Sequence, residues 1–345
     1  MLRSFVLILQ RKYKALMVSF FKALNPLNIL WLALILFISR IGYLLNAPDK
    51  TEFAFSEAFA RLLIAPGTYL NPASTSLNIL LAAAFVFIQA LLLNHLVNHF
   101  NLLGKPTFLP ALMYITASAL FKSFLVLSPP LLCNFLVIWM LFKLFRLYKS
   151  NDAKASAFDL GMIVAIGSVI YLPFIYFFLA VWVALFLFRP LNWREIVASI
   201  IGYVTIFFFL AVYYFLSDSL SRFSEIWLPL GTKFPDKIDI HYYNYLVLVP
   251  VVAVLVLCFF KLQQNFFKSY VQVRKSFQLL FVIFLIAGLS FYVKKPFDIN
   301  HFLLCTIPCA VFFAYYFLYA KTRWFYESLY LLLLISVIYF QFNTF

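Results

Sequence analysis

Three carboxylates, Asp49, Glu52 and Glu57, fall together in the segment Asn46-Ala-Pro-Asp-Lys-Thr-Glu-Phe-Ala-Phe-Ser-Glu57, with Arg40 shortly before them and Arg61 shortly after. Carboxylates beside cations suit group transfer from a phosphate: an acid takes the proton of an attacking hydroxyl while cations neutralise the leaving phosphate. Lys122, much further along the chain, joins Arg40 and Arg61 as a candidate phosphate-binding cation. His241 and His301 are candidates to line the same site. Only 11% of the residues are charged, so a local cluster is conspicuous. A blander reading stands beside each candidate. Arg40 and Lys122 would snorkel to the membrane interface, and the two histidines would be interfacial.

The elements that position these residues are transmembrane helices. Hydrophobic residues make up 65% of the chain, in repeated runs of about the length that crosses a bilayer as a helix, roughly 20 residues. The runs are continuous, whereas barrel strands alternate apolar and polar positions. The expected fold is an all-α polytopic bundle of about 11 spans, near 25–46, 76–98, 107–127, 131–148, 158–172, 173–188, 195–216, 243–261, 276–293, 301–320 and 326–341. Leu172-Pro173 divides the run Phe158–Phe188 in two. With the N-terminus inside and the C-terminus outside, the Lys and Arg residues gather at the cytoplasmic loops, and that asymmetry requires the division. The outer loops are then 47–75, which holds the acids, and 217–242.

Residues 1–24 precede the integral domain 25–345, and their cations share one arc of a helical projection, as in an amphipathic helix lying on the inner surface. The net charge of +15 is therefore topological, facing anionic lipid headgroups, and nucleic acid is not an expected partner. Cys133, Cys258, Cys305 and Cys309 sit within spans with no His or acid beside Cys305 and Cys309, so they read as packing residues and no metal site is assigned to them. The sequence holds no P-loop, dinucleotide fingerprint, nucleophile elbow or zinc-protease motif, which counts against ATP-driven transport.

One order of features points to a family. A first span ends Ser39-Arg40-Ile-Gly-Tyr, an acidic outer loop follows, and Phe55-Ser-Glu-Ala-Phe-Ala-Arg61 leads into a short amphipathic stretch. Later come Leu127-Ser-Pro-Pro-Leu-Leu, a span ending Leu144-Phe-Arg-Leu-Tyr-Lys149, and paired short spans running into Arg189-Pro-Leu-Asn-Trp-Arg-Glu195. Over about residues 25–215 this layout resembles the membrane half of GT-C glycosyltransferases, which use polyprenyl-phosphate sugars at the outer face of the membrane. It also resembles a Bacteroidota family of polytopic inner-membrane proteins of unassigned function. The resemblance implies that an acid of the first outer loop acts as catalytic base or holds a divalent cation, and those enzymes often carry an adjacent acidic pair there. Asp49, Glu52 and Glu57 occupy the matching loop without such a pair, and the loop is short.

Three functions remain open on these residues. One is a GT-C-like transferase using a polyprenyl-phosphate-linked sugar. A second is a non-catalytic subunit of a membrane assembly in envelope biogenesis or protein secretion, with protein partners. The third is a lipid or small-solute carrier, which calls for polar residues deep in the bilayer, where the spans show few.

Overall fold

In hydrocarbon every backbone N–H and C=O must find its partner within the protein, and a long apolar segment does this as a helix. The computed structural model describes residues 17–45, 75–148, 150, 153–190, 192–218, 220–225, 246, 248–265, 269–293 and 298–342. Among these residues there are helices and no strand. The helices are α1 (Met17–Phe21), α2 (Asn28–Leu45), α3 (Thr75–His99), α4 (Leu109–Ala117), α5 (Pro129–Arg146), α6 (Lys154–Ile170), α7 (Phe177–Phe188) and α8 (Trp193–Leu216). They continue with α9 (Leu220–Glu225), α10 (Leu248–Asn265), α11 (Val271–Leu289), α12 (Thr306–Tyr319) and α13 (Arg323–Phe342). Short 3-10 helices occupy Lys122–Leu125, Leu172–Tyr176, Ser290–Val293 and Ile299–Cys305.

Seven of the described helical segments are long and apolar enough to cross a bilayer: Asn28–Leu45, Leu77–His99, Pro129–Arg146, Trp193–Leu216, Leu248–Asn265, Val271–Leu289 and Ile299–Tyr319. The protein is a multi-pass membrane protein. The remaining expected spans coincide with shorter or more polar helices: α4 with its following 3-10 helix, α6, the segment Leu172–Phe188, and α13.

Two breaks are informative. The run Phe158–Phe188 is interrupted where proline lacks an N–H: α6 ends at Ile170, Tyr171 is extended, and a 3-10 helix begins at Leu172 with Pro173 as its second residue. The expected span 107–127 is also broken, and here no proline or glycine marks the spot. The Ser118 hydroxyl turns back to the Ile115 carbonyl at 3.0 Å, and the chain leaves α4 before restarting at Lys122. Of the expected surface helix 1–24, residues 1–16 lie outside the described set. In α1, Val18 and Phe21 are buried against the protein.

The centre of the bundle is the segment Ile299–Tyr319, 83% buried, against 22% for α8 and for α10 at the periphery. It packs on α4, all of whose residues are buried. The closest helix pair is α6 with α8. A Cβ at Gly161 would lie 1.9 Å from the Ser199 carbonyl oxygen, and one at Gly202 would lie 2.1 Å from that of Phe158. Small residues at such crossings let membrane helices approach backbone to backbone.

Tertiary hydrogen bonds define two ends of the bundle. At one, Arg40 meets the Leu125 carbonyl, the Asn78 side chain meets the Leu127 N–H, and Tyr171 meets His301. At the other, Lys143 pairs with Asp159, Arg189 with Glu195, and Glu327 accepts from the N–H groups of Val18 and Ser19.

Candidate functional site

Arg40 lies in the last turns of α2 and is 1% exposed, the largest fully buried side chain among the described residues. The unwound chain after α4 supplies its only hydrogen-bond acceptor among them: Nη1 donates to the Leu125 carbonyl at 2.9 Å. Nε and Nη2 have no partner there. Those two N–H groups share one edge of the planar guanidinium, the edge that grips a carboxylate or phosphate through two parallel hydrogen bonds. The Nη1 bond thus fixes the plane and leaves the bidentate edge without a partner among the described residues. A cation held this deep without an anion is costly, so such a group is a functional candidate.

Further donors border the same stretch of backbone. The Asn78 Oδ1 accepts from the Leu127 N–H at 2.7 Å, while its Nδ2 is buried without a partner among the described residues. Ser128 precedes α5, and its buried hydroxyl makes no capping bond and has no partner in that set. Lys122 opens the 3-10 helix whose last residue, Leu125, receives Arg40. It is half-buried. The structure therefore brings two of the expected cations, Arg40 and Lys122, onto one short element. Asp49, Glu52, Glu57, Arg61 and His241 lie outside the described residues, although the acidic segment follows α2 directly.

His301 takes a different position. Its Nε2 donates to the Ala287 carbonyl at 2.7 Å, and in the neutral ring Nδ1 accepts from the Tyr171 hydroxyl at 2.8 Å. The Ser290 hydroxyl lies 3.2 Å from Nε2. Both nitrogens are engaged and the ring is 2% exposed, so His301 ties the 3-10 helix Ile299–Cys305 to α11 and to Tyr171.

A buried polar cluster deeper in the bundle has no counterpart in the sequence reading. Tyr114 on α4 donates to Gln89 Oε1 on α3 at 2.7 Å, and Asn134 on α5 donates through Nδ2 to the Tyr114 hydroxyl and to the Leu303 carbonyl, both at 3.1 Å. The Gln89 amide donates to the Leu131 carbonyl at 2.7 Å. Asn134 Oδ1 is the one buried atom of this trio without a partner among the described residues. A polar residue every several positions in an apolar helix is the available sequence signal, but which of them meet depends on helix facing.

Among the described residues no group of three or more His, Cys, Asp or Glu side chains is placed to hold a metal ion. The four cysteines are buried and none forms a disulfide.

Residues 58–345 match the model of a family of unknown function (DUF6427), and the chain belongs to that family. No curated protein and no solved structure matches it.

Proposed function

Starting from that membership, we propose that the protein is a multi-pass protein of the bacterial inner membrane that binds a polyprenyl-phosphate-linked sugar through Arg40 and transfers the sugar at the outer face. One observation carries the reading: the buried bidentate edge of Arg40, oriented by Leu125 and facing no described acceptor. In this reading the chain crosses eleven times with the Arg40 end outside. Support comes from the basic residues Lys143, Arg146, Arg189, Arg194, Lys321 and Arg323, which belong to the opposite ends of their helices. The bond between the sugar and the phosphate oxygen breaks as the acceptor hydroxyl forms the new glycosidic bond. Arg40, with Lys122, takes up the charge of the departing phosphate, and one of Asp49, Glu52 and Glu57 accepts the hydroxyl proton.

A second reading, a carrier for an anionic lipid, is favoured by the Gln89–Tyr114–Asn134 cluster, because polar groups inside a helical bundle mark substrate paths. Protein in lipid nanodiscs is tested for binding of a polyprenyl phosphate by native mass spectrometry and for transfer from the labelled sugar-loaded lipid. Arg40→Met is expected to lose the lipid, while Asp49→Asn with Glu57→Gln keeps it and loses transfer. Binding without transfer in the wild type would select the carrier, and absence of binding would overturn both readings.

A further inference from the structure

A cavity of about 530 Å³ lies between α10 and α11, far from the Arg40 site in the chain and independent of the reading given to it. These two consecutive helices both rest on α12, and α11 also packs on α7. The volume falls within the range of small-molecule sites, roughly 300–1,000 Å³. Its composition changes along its length. Gln263, Arg274 and Gln278 lie toward the connection joining the two helices, while Leu255, Phe281 and Phe284 lie toward the opposite end. At 1.5 Å per helical residue the distance from Arg274 to Phe284 is about 15 Å, half of a hydrocarbon core of about 30 Å. The slot is one leaflet deep, with its polar end at that leaflet's surface. Phe259 and Phe281, on its two walls, remain exposed on the lipid-facing side.

The two helices carry charge of one sign: no Asp or Glu occurs between Asp239 and Asp298, whereas Lys261 lies in the last turns of α10 and Arg274 and Lys275 in the first turns of α11.

We infer that the cleft between α10 and α11 is a binding site for an anionic phospholipid, with one acyl chain between Leu255 and Phe284 and the phosphate at Arg274. A void of this size in contact with lipid is filled by a chain, and the cation at its mouth selects the headgroup. The occupant is a bilayer lipid drawn from the leaflet on the side of the C-terminal end of α10 and the N-terminal end of α11.

The test uses the full chain in mild detergent, titrated with phosphatidylglycerol or with phosphatidylcholine of identical acyl chains and read by native mass spectrometry. The wild type is expected to retain the anionic lipid about fivefold better, from about 1 kcal/mol per basic residue near an anionic surface. Arg274→Gln is expected to remove that preference, and Leu255→Trp, which fills the slot, to lower retention of both lipids. Equal retention of the two lipids by the wild type would overturn the inference without any variant. So would an unchanged preference in Arg274→Gln, or full retention in a monodisperse Leu255→Trp protein.

Discussion

Replacing Arg40 with methionine is expected to leave the ligand-free protein as stable as the wild type or more so, while abolishing its response to phosphate-bearing lipid. In the free protein the side chain is buried with Nε and Nη2 unpaired among the described residues. Each orphan donor costs about 1–3 kcal/mol, roughly 2–6 together. Against this stands one charge-assisted bond to the Leu125 carbonyl, worth about 1.5–3 kcal/mol. Methionine has a similar reach and no polar hydrogen, so the difference favours the variant by about 2 kcal/mol, in line with buried charges replaced by apolar side chains. In the wild type, a lipid phosphate present at one hundred times its Kd adds about 2.7 kcal/mol. A thiol-reactive fluorophore can read the melts, because Cys133, Cys258, Cys305 and Cys309 are all buried thiols outside any disulfide and become reactive on unfolding. The expected pattern is a melt for Arg40→Met a few degrees above that of the lipid-free wild type, with only the wild type rising when polyprenyl phosphate is added. A ligand-free loss of several kcal/mol in Arg40→Met, with no lipid response in the wild type, would refute the reasoning and make Arg40 a paired structural cation.

Two further outcomes follow from the packing. Gly161→Ala and Gly202→Ala place a methyl group 1.9 and 2.1 Å from a carbonyl oxygen of the facing helix, so each is expected to cost about 3 kcal/mol or more in the same melt. Gly288→Ala, with nothing within 4 Å, is expected to be neutral or slightly stabilising, and an equal loss at all three would argue against the α6–α8 contact. At the other end, Glu195→Ala is expected to cost about 1–3 kcal/mol because it removes the buried carboxylate that pairs with Arg189, which keeps the Ser150 carbonyl as an acceptor. The double variant Arg189→Met with Glu195→Met should recover most of that loss, whereas additive losses would mean that the two side chains do not act as a pair.

The sequence reveals helical spans through their length and continuity, and it marks the break at Leu172-Pro173 because proline carries its own steric and hydrogen-bonding signature. The break after Ala117 carries no such mark. What accompanies it is tertiary: past the turn at Ser118 the chain offers the Leu125 carbonyl to Arg40, a contact no local pattern announces. Arg40 itself is visible as a cation near the end of a span, which fits a snorkelling side chain as well as a buried one. Its burial depends on the Lys122–Leu125 helix folding over it, a contact 85 positions away in the chain. Gln89, Tyr114 and Asn134 are each unremarkable in their own helices. They become a network only because α3, α4 and α5 turn those faces toward one another, which no single-helix pattern encodes.

The bond from Glu327 to the N–H groups of Val18 and Ser19 joins positions more than 300 residues apart, and Gln341 donates to the Ser39 carbonyl across a similar distance. Helix α13 follows every other described helix in the chain, so these early-made groups wait in the bilayer for their partners until it arrives. Until α13 is in place these groups lack those partners, so the first helices are completed last, and loss of α13 is expected to destabilise α1 and α2 as well as the end of the chain.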